Sequence, residues 1–323
     1  MNKLYPLKFN PILKERLWGG TKLAEQLHKP STSDITGESW ELSGVKGDVS
    51  EVSNGEFRGA TLNELIERWG PELLGKSVIE QFGKEFPILI KFIDAKQDLS
   101  IQLHPNDELA KSRHNSFGKT EMWYIMDADE DANLIVGFNQ PMTREKYIES
   151  IENKTLLQYM NYEKVEAGDT FFINTGKIHA IGAGVLLAEI QQTSDVTYRV
   201  YDFDRRDKDG NLRELHTDLA LDAIDFKQKD DFKVKYERTA NKINPMVSCP
   251  YFKTNFMELQ SDLTQNTAER DSFTIYMCVE GRAEIANEAG SESIRNGETI
   301  LLPANSKIIT IQTSGCKLLE VVL

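Results

Sequence analysis

From residue 86 the chain is a succession of short apolar segments cut by turn residues, and no other feature restricts its fold as much. FPILIKFIDA, MWYIMDA, ANLIVGF, DTFFIN, HAIGAG, VLLAEIQQ and VTYRVYDF follow in order, separated by Gly, Asn, Asp or Thr. Each has strand length, and FPILIKFIDA is apolar almost throughout, as a buried strand requires. Many short strands with polar turns predict a sandwich or barrel rather than a parallel α/β sheet. Helices are expected as insertions at about 61–83, 143–160 and 216–225. The first opens on a capping box, with Thr61 three residues before Glu64. The first sixty residues read as irregular structure and short strands, ESWELS among them.

At 323 residues the chain has the length of roughly two domains. The charged, weakly patterned stretch DFKQKDDFKVKYERTANKINP marks a boundary near residue 240. Residues 241–323 then read as a second, smaller all-β unit, beginning with KTNFMEL and ending with KLLEVVL. One spacing recurs in both units. Gly168, Asn174, Gly176 and His179 stand at the same intervals as Gly297, Pro303, Asn305 and Ile308. Either these are two unrelated hairpins, or the second unit is a metal-free copy with isoleucine in the histidine slot.

Hydrophobic residues make up 40% of the chain and charged residues 28%, an ordinary globular mixture. The net charge of −13 argues against a nucleic-acid partner, which needs a clustered basic face. An anionic substrate would need a local basic pocket set into this acidic protein. Cys249, Cys278 and Cys316 are too few and too scattered for a disulfide framework and suit a reducing cytoplasm. The opening MNKLYPLKFNPILKERLWGG is broken by prolines and charges, unlike a signal peptide. The run FPILIKFI is short and carries Lys91, far from the ~20 apolar residues of a membrane helix. The expectation is a soluble cytoplasmic protein without a membrane partner, with homo-oligomerisation left open.

Chemistry concentrates in LSIQLHPNDELAKSRHNSFGKTEMWYIM, residues 99–126. Strand alternation puts Gln102 and His104 on one face, with Glu121 nearby and His179 further on in GDTFFINTGKIHAIGAG. Together they offer two imidazoles, a carboxylate and a displaceable amide oxygen, a set able to hold a divalent metal. The alternative is that His104 and His179 are satisfied polar residues of a barrel core. His28, His114 and His216 lie among charged or loop residues and are read as surface groups. Glu189, Gln191 and Arg199 stand among apolar neighbours, where burial without partners costs several kcal/mol. A cavity facing an ionic ligand would give them partners.

Nucleotide motifs fail. Gly118–Thr120 reads GKT, but Arg113 occupies the place of a P-loop's first glycine. The GAG at Gly182–Gly184 has Leu187 where a dinucleotide fingerprint needs its third glycine. Neither Gly-x-Ser-x-Gly nor His-Glu-x-x-His occurs.

The strings ERLWGG, GESWELS, FIDAKQDLSIQLHPND, GKTEMWYI, FFINTGKIHAIGAG and LLAEIQQTSDVTYRVYDFDR resemble type I phosphomannose isomerases (mannose-6-phosphate isomerases), in their short bacterial form. The resemblance runs in order over most of residues 4–205 and thins to general barrel character in the C-terminal part. It implies a mainly β fold: a cupin-type jelly roll over 1–240 carrying the helical insertions, followed by the smaller metal-free β unit. It also implies one zinc ion per chain, held by Gln102, His104, Glu121 and His179, and an active-site arginine at Arg199. Ser100 and Lys119 would lie beside the metal, with Arg205 a looser match. Asn174 departs from the proline common there, without loss of a functional group.

The implied reaction interconverts mannose 6-phosphate and fructose 6-phosphate through a cis-enediol, which needs a base and a cation for the enediolate oxygens. Arg199 supplies a forked, permanent charge. Lys119, Ser100 and Arg205 are candidates for the sugar phosphate, Lys119 also for catalysis, and Glu189 is the candidate base. Two rivals are a non-catalytic sugar-phosphate-binding cupin and another metal-dependent cupin enzyme, such as an oxygenase.

Overall fold

The computed structural model describes residues 3–207, 209–227 and 232–323. Residues 228–231, within the charged stretch read as a boundary, lie outside the described residues. The fold is mainly β. Its first eleven strands are β1 (Ile12–Gly20), β2 (Thr36–Leu42), β3 (Ile88–Ala95), β4 (Ile101–Leu103), β5 (Glu121–Ala128), β6 (Asn133–Phe138), β7 (Met160–Lys164), β8 (Thr170–Ile173), β9 (His179–Ile181), β10 (Val185–Gln192) and β11 (Tyr198–Tyr201). They form two antiparallel sheets, one in the order β1-β2-β3-β10-β5-β8 and one in the order β11-β4-β9-β6-β7.

Alternation along β10 shows how the six-stranded sheet is buried on both faces. Leu186, Ala188 and Ile190 join one apolar cluster with Leu62, Leu65 and Val78 of the helices Leu62–Trp69 and Lys76–Phe82. Val185 and Leu187 point the other way, into a cluster shared with Leu134, Val136 and Ile181 of the five-stranded sheet. The two sheets therefore face each other as the layers of a jelly roll. The outer face of the five-stranded sheet packs Ile101, Leu103, Ala180, Tyr198 and Val200 beneath Tyr147 and Ala220 of the helices Arg144–Glu152 and Thr217–Ala223.

The remaining strands are β12 (Ile243–Ser248), β13 (Lys253–Leu259), β14 (Leu263–Asn266), β15 (Thr274–Asn287), β16 (Gly290–Arg295), β17 (Thr299–Leu302), β18 (Ile308–Gln312) and β19 (Cys316–Val322). They form an eight-stranded antiparallel sheet organised on the long strand β15. Its interior, including Met257, Tyr276, Ile300 and Leu318, is a core of its own. Its other face, with Phe256, Phe273, Ile275 and Leu319, belongs to the cluster that covers β3 and β10.

Between Leu103 and Glu121 the chain forms a helix, Asp107–His114. Asn106 caps it by accepting from the Leu109 amide, and Asn115 ends it in the left-handed conformation (φ 50°).

Candidate active site

Register assembles the site. Arg199 on β11 lies opposite Gln102 on β4, and Gln102 lies opposite His179 on β9. Residues paired across antiparallel strands share a face, so these three side chains form a row. Their alternate neighbours fill the outer apolar cluster, which turns the row inward. His104 follows two residues after Gln102, just past the strand end. Glu121 opens β5 in the opposing sheet.

His104, Glu121 and His179 are fully buried, and their ligand atoms lie within 4.8 Å of one another. Each imidazole Nε2 is 3.5 Å from a different Glu121 oxygen. His104 Nδ1–H donates to the Val196 carbonyl at 2.9 Å, and His179 Nδ1–H donates to the Lys177 carbonyl at 2.8 Å. A carbonyl can only accept, so each Nδ1 carries the proton and each Nε2 offers its lone pair inward. Such backbone-anchored imidazoles are the usual support of metal ligands. Burial above all lowers both histidine pKa values, that of His179 to about 3, and keeps the rings neutral.

Lys119 Nζ lies 3.0 Å from Glu121 Oε2 and donates to His104 Nε2 at 3.3 Å. Even so, Glu121 Oε1 and His179 Nε2 are buried without a hydrogen-bond partner, and Glu121 Oε2 has only the Lys119 ammonium. Unsatisfied buried donors and acceptors are costly, and these are lone pairs converging on one point. A divalent cation would satisfy them together, so the donor set fits a metal. Burial pushes the Glu121 carboxyl up, to about 7, against the opposing pull of Lys119.

The remaining candidates have three separate sets of partners. Ser100 Oγ donates to Gln102 Oε1 at 3.2 Å and accepts from Arg199 Nε at 3.3 Å. Arg199 also donates to the Glu214 carbonyl at 2.9 Å, so its guanidinium bonds run to neutral oxygens. Arg205 instead pairs with Asp202 at 2.7 Å and donates to the Asp98 carbonyl. Glu189 lies on the inner face of β10, its Oε1 3.0 Å from Lys91 Nζ and its Oε2 accepting from Trp123 Nε1 at 2.9 Å. Burial works to raise its pKa, but the charges of Lys91 and Lys119 outweigh that and leave it lowered. His114 is exposed, as its surroundings in the sequence imply.

Lys91 and Trp123 were not among the expected site residues. Lys91 was visible as a lone lysine inside FPILIKFI, and at 6% exposure it needs the partner that Glu189 provides. The carbonyls of Lys177 and Val196 left no trace in the sequence, since any residue supplies one. A cavity of about 1140 Å³ opens beside Val196, Gln192 and Tyr251, yet none of the expected site residues lines it. Donor chemistry rather than cavity size therefore identifies the site.

Comparison with known proteins identifies the family. A family model described as phosphomannose isomerase type I, catalytic domain, matches residues 6–137, and one described as mannose-6-phosphate isomerase, cupin domain, matches residues 242–322. The chain is 37% identical over 301 residues to mannose-6-phosphate isomerase ManA of Bacillus subtilis, covering 92% of this chain and 93% of that protein. It is 32% identical over 304 residues to the mannose-6-phosphate isomerase of Streptococcus mutans, covering 94% and 93%. The crystal structure of the mannose 6-phosphate isomerase from Bacillus subtilis superposes with a TM-score of 0.88 at 32% identity, over 98% of this chain and 99% of that one. Phosphomannose isomerase structures from Salmonella typhimurium, at 16% identity and a TM-score of 0.81 over 98% of each chain, share the fold. The chain belongs to the type I mannose-6-phosphate isomerase (phosphomannose isomerase) family of enzymes.

Proposed function

We propose that the chain interconverts mannose 6-phosphate and fructose 6-phosphate through a cis-enediol, with one zinc ion held by Gln102, His104, Glu121 and His179. The observation that carries this reading is the convergence of two buried lone pairs without a partner, on Glu121 Oε1 and His179 Nε2, beside imidazoles fixed from behind by carbonyls. Bound there, zinc would supply Lewis-acid polarisation of the sugar's C1 and C2 oxygens. The residues supply the rest. Glu189, kept ionised by Lys91, takes the proton from C2 of the aldose and delivers it to C1 of the enediol, while the O2 hydroxyl proton passes to O1 and the carbonyl forms at C2. Arg199, in register with Gln102, sets a permanent positive charge beside the developing enediolate.

Lys119 is assigned to the reacting end rather than the phosphate, because its ammonium is buried against Glu121 and His104. Ser100, which joins Arg199 to Gln102, and Arg205 are the proposed phosphate donors. The enzyme would work in the cytoplasm, and among the described residues no helix is long and apolar enough to cross a membrane. A coupled assay on mannose 6-phosphate, run with metal analysis of the same preparation, tests the reading. Turnover with one zinc per chain is expected. Metal with sugar-phosphate binding but no turnover would favour a binding module, and oxygen-dependent turnover of iron-loaded protein an oxygenase.

A further inference from the structure

Two loops border the ligand set, one leading into Glu121 and one supplying the carbonyl behind His104, and one side chain outside the set joins both. Asp107, the first residue of the helix Asp107–His114, accepts at Oδ1 from the Gly118 amide (2.8 Å) and from Gln192 Nε2 (3.0 Å). Gly118 leads within three residues to Glu121. It has no room for a side chain, since a Cβ there would lie 2.7 Å from the Asp107 amide nitrogen. Gln192 accepts from the Thr120 amide at 2.8 Å, and its loop runs on to Val196, whose carbonyl orients His104. On its other oxygen, Oδ2, Asp107 accepts from Tyr251 Oη at 2.6 Å. Tyr251 lies in the turn between β12 and β13, so this hydroxyl reaches out from the C-terminal sheet. A hydroxyl-to-carboxylate bond of that length is of the strong, orienting class.

We infer that Asp107 is a positioning residue through which Tyr251 of the C-terminal sheet sets the placement of Glu121 and His104. The sheet that holds no ligands thereby contributes to metal affinity. The inference rests on the reading of His104, Glu121 and His179 as ligands, and outer partners of metal ligands are worth about 10- to 100-fold in affinity.

The test uses the full chain loaded with Co²⁺, whose visible spectrum reports ligand geometry, and competition with a chromophoric chelator. Tyr251→Phe and Asp107→Asn are each expected to weaken Co²⁺ retention about tenfold and to shift its visible band. The double variant should lose little more than either single one, because both act through one contact. Tyr236→Phe, which removes a 2.7 Å bond to the Gly168 carbonyl away from these loops, should change neither reading. Co²⁺ affinity and spectrum unchanged in Tyr251→Phe would overturn the inference, as would an equal loss in Tyr236→Phe. A wild-type chain that retained no Co²⁺ would overturn the ligand reading itself, and this inference with it.

Discussion

Glu189 is a buried carboxylate held between an ammonium and an indole, 3.0 Å from Lys91 and 2.9 Å from Trp123. Removing its charge tests its proposed role without touching the ligands. Glu189→Gln should retain bound metal but lose exchange of the substrate C2 proton with solvent by about 10²- to 10⁴-fold. Unchanged exchange would exclude Glu189 as the base. Because Lys91 would lose its counter-charge, some loss of stability is expected too, and breaking a buried pair can cost about 3–5 kcal/mol. Glu38 carries a separate, pH-dependent prediction. Burial works to raise its pKa, but Lys91, Arg16 and a hydrogen bond from Trp40 bring it from 4.5 down to about 2. A carboxyl lowered on folding stabilises fully above its unfolded pKa, and that contribution is lost as pH falls through the folded value. Urea midpoints should therefore fall as pH drops from about 4.5 to about 2. Glu38→Gln should remove from that slope a contribution on the order of 3 kcal/mol. Identical slopes in the two proteins would refute the coupling.

At the level of elements, the recurring spacing corresponds to one local structure used twice. After Gly168 (φ 91°) come β8, a turn and β9; after Gly297 (φ 82°) come β17, a turn and β18. His179 is buried at the start of β9, whereas Ile308 at the start of β18 is 49% exposed. The same element thus presents once a buried histidine of the candidate metal site and once an exposed isoleucine. Strands such as β3 and β10 were legible because a buried strand must be apolar on both faces. The helix Asp107–His114 was not, because DELAKSRH lacks an apolar stripe and only its cap at Asn106 marks it. Residue types singled out His104, Glu121 and His179, but their convergence depends on strand register and sheet facing, which no local pattern encodes. The same holds for the carbonyls behind the imidazoles and for the link from Tyr251 to Asp107.

Across the whole molecule, one apolar cluster runs from Leu4 and Leu7 through Phe86 and Ile90 to Phe256, Phe273 and Leu319. Phe86 meets Phe273 at 5.2 Å between ring centroids, and Leu7 pairs its backbone with Leu301. The boundary proposed near residue 240 is thus a division of the chain whose two sides share a core. Residues 1–240 expressed alone should expose that face and aggregate, and the intact chain should unfold in one transition. Two independent transitions in calorimetry would contradict this.

The proposed isomerisation depends on a metal held by the buried His104, Glu121 and His179 set. Its most direct test follows metal content and turnover of mannose 6-phosphate together, through chelation and zinc re-addition, in the wild type and in His179→Ala. Turnover should fall in step with bound metal, return with zinc, and be absent along with the metal in His179→Ala. Full turnover by metal-free protein, or one tightly bound zinc per chain in His179→Ala, would contradict it.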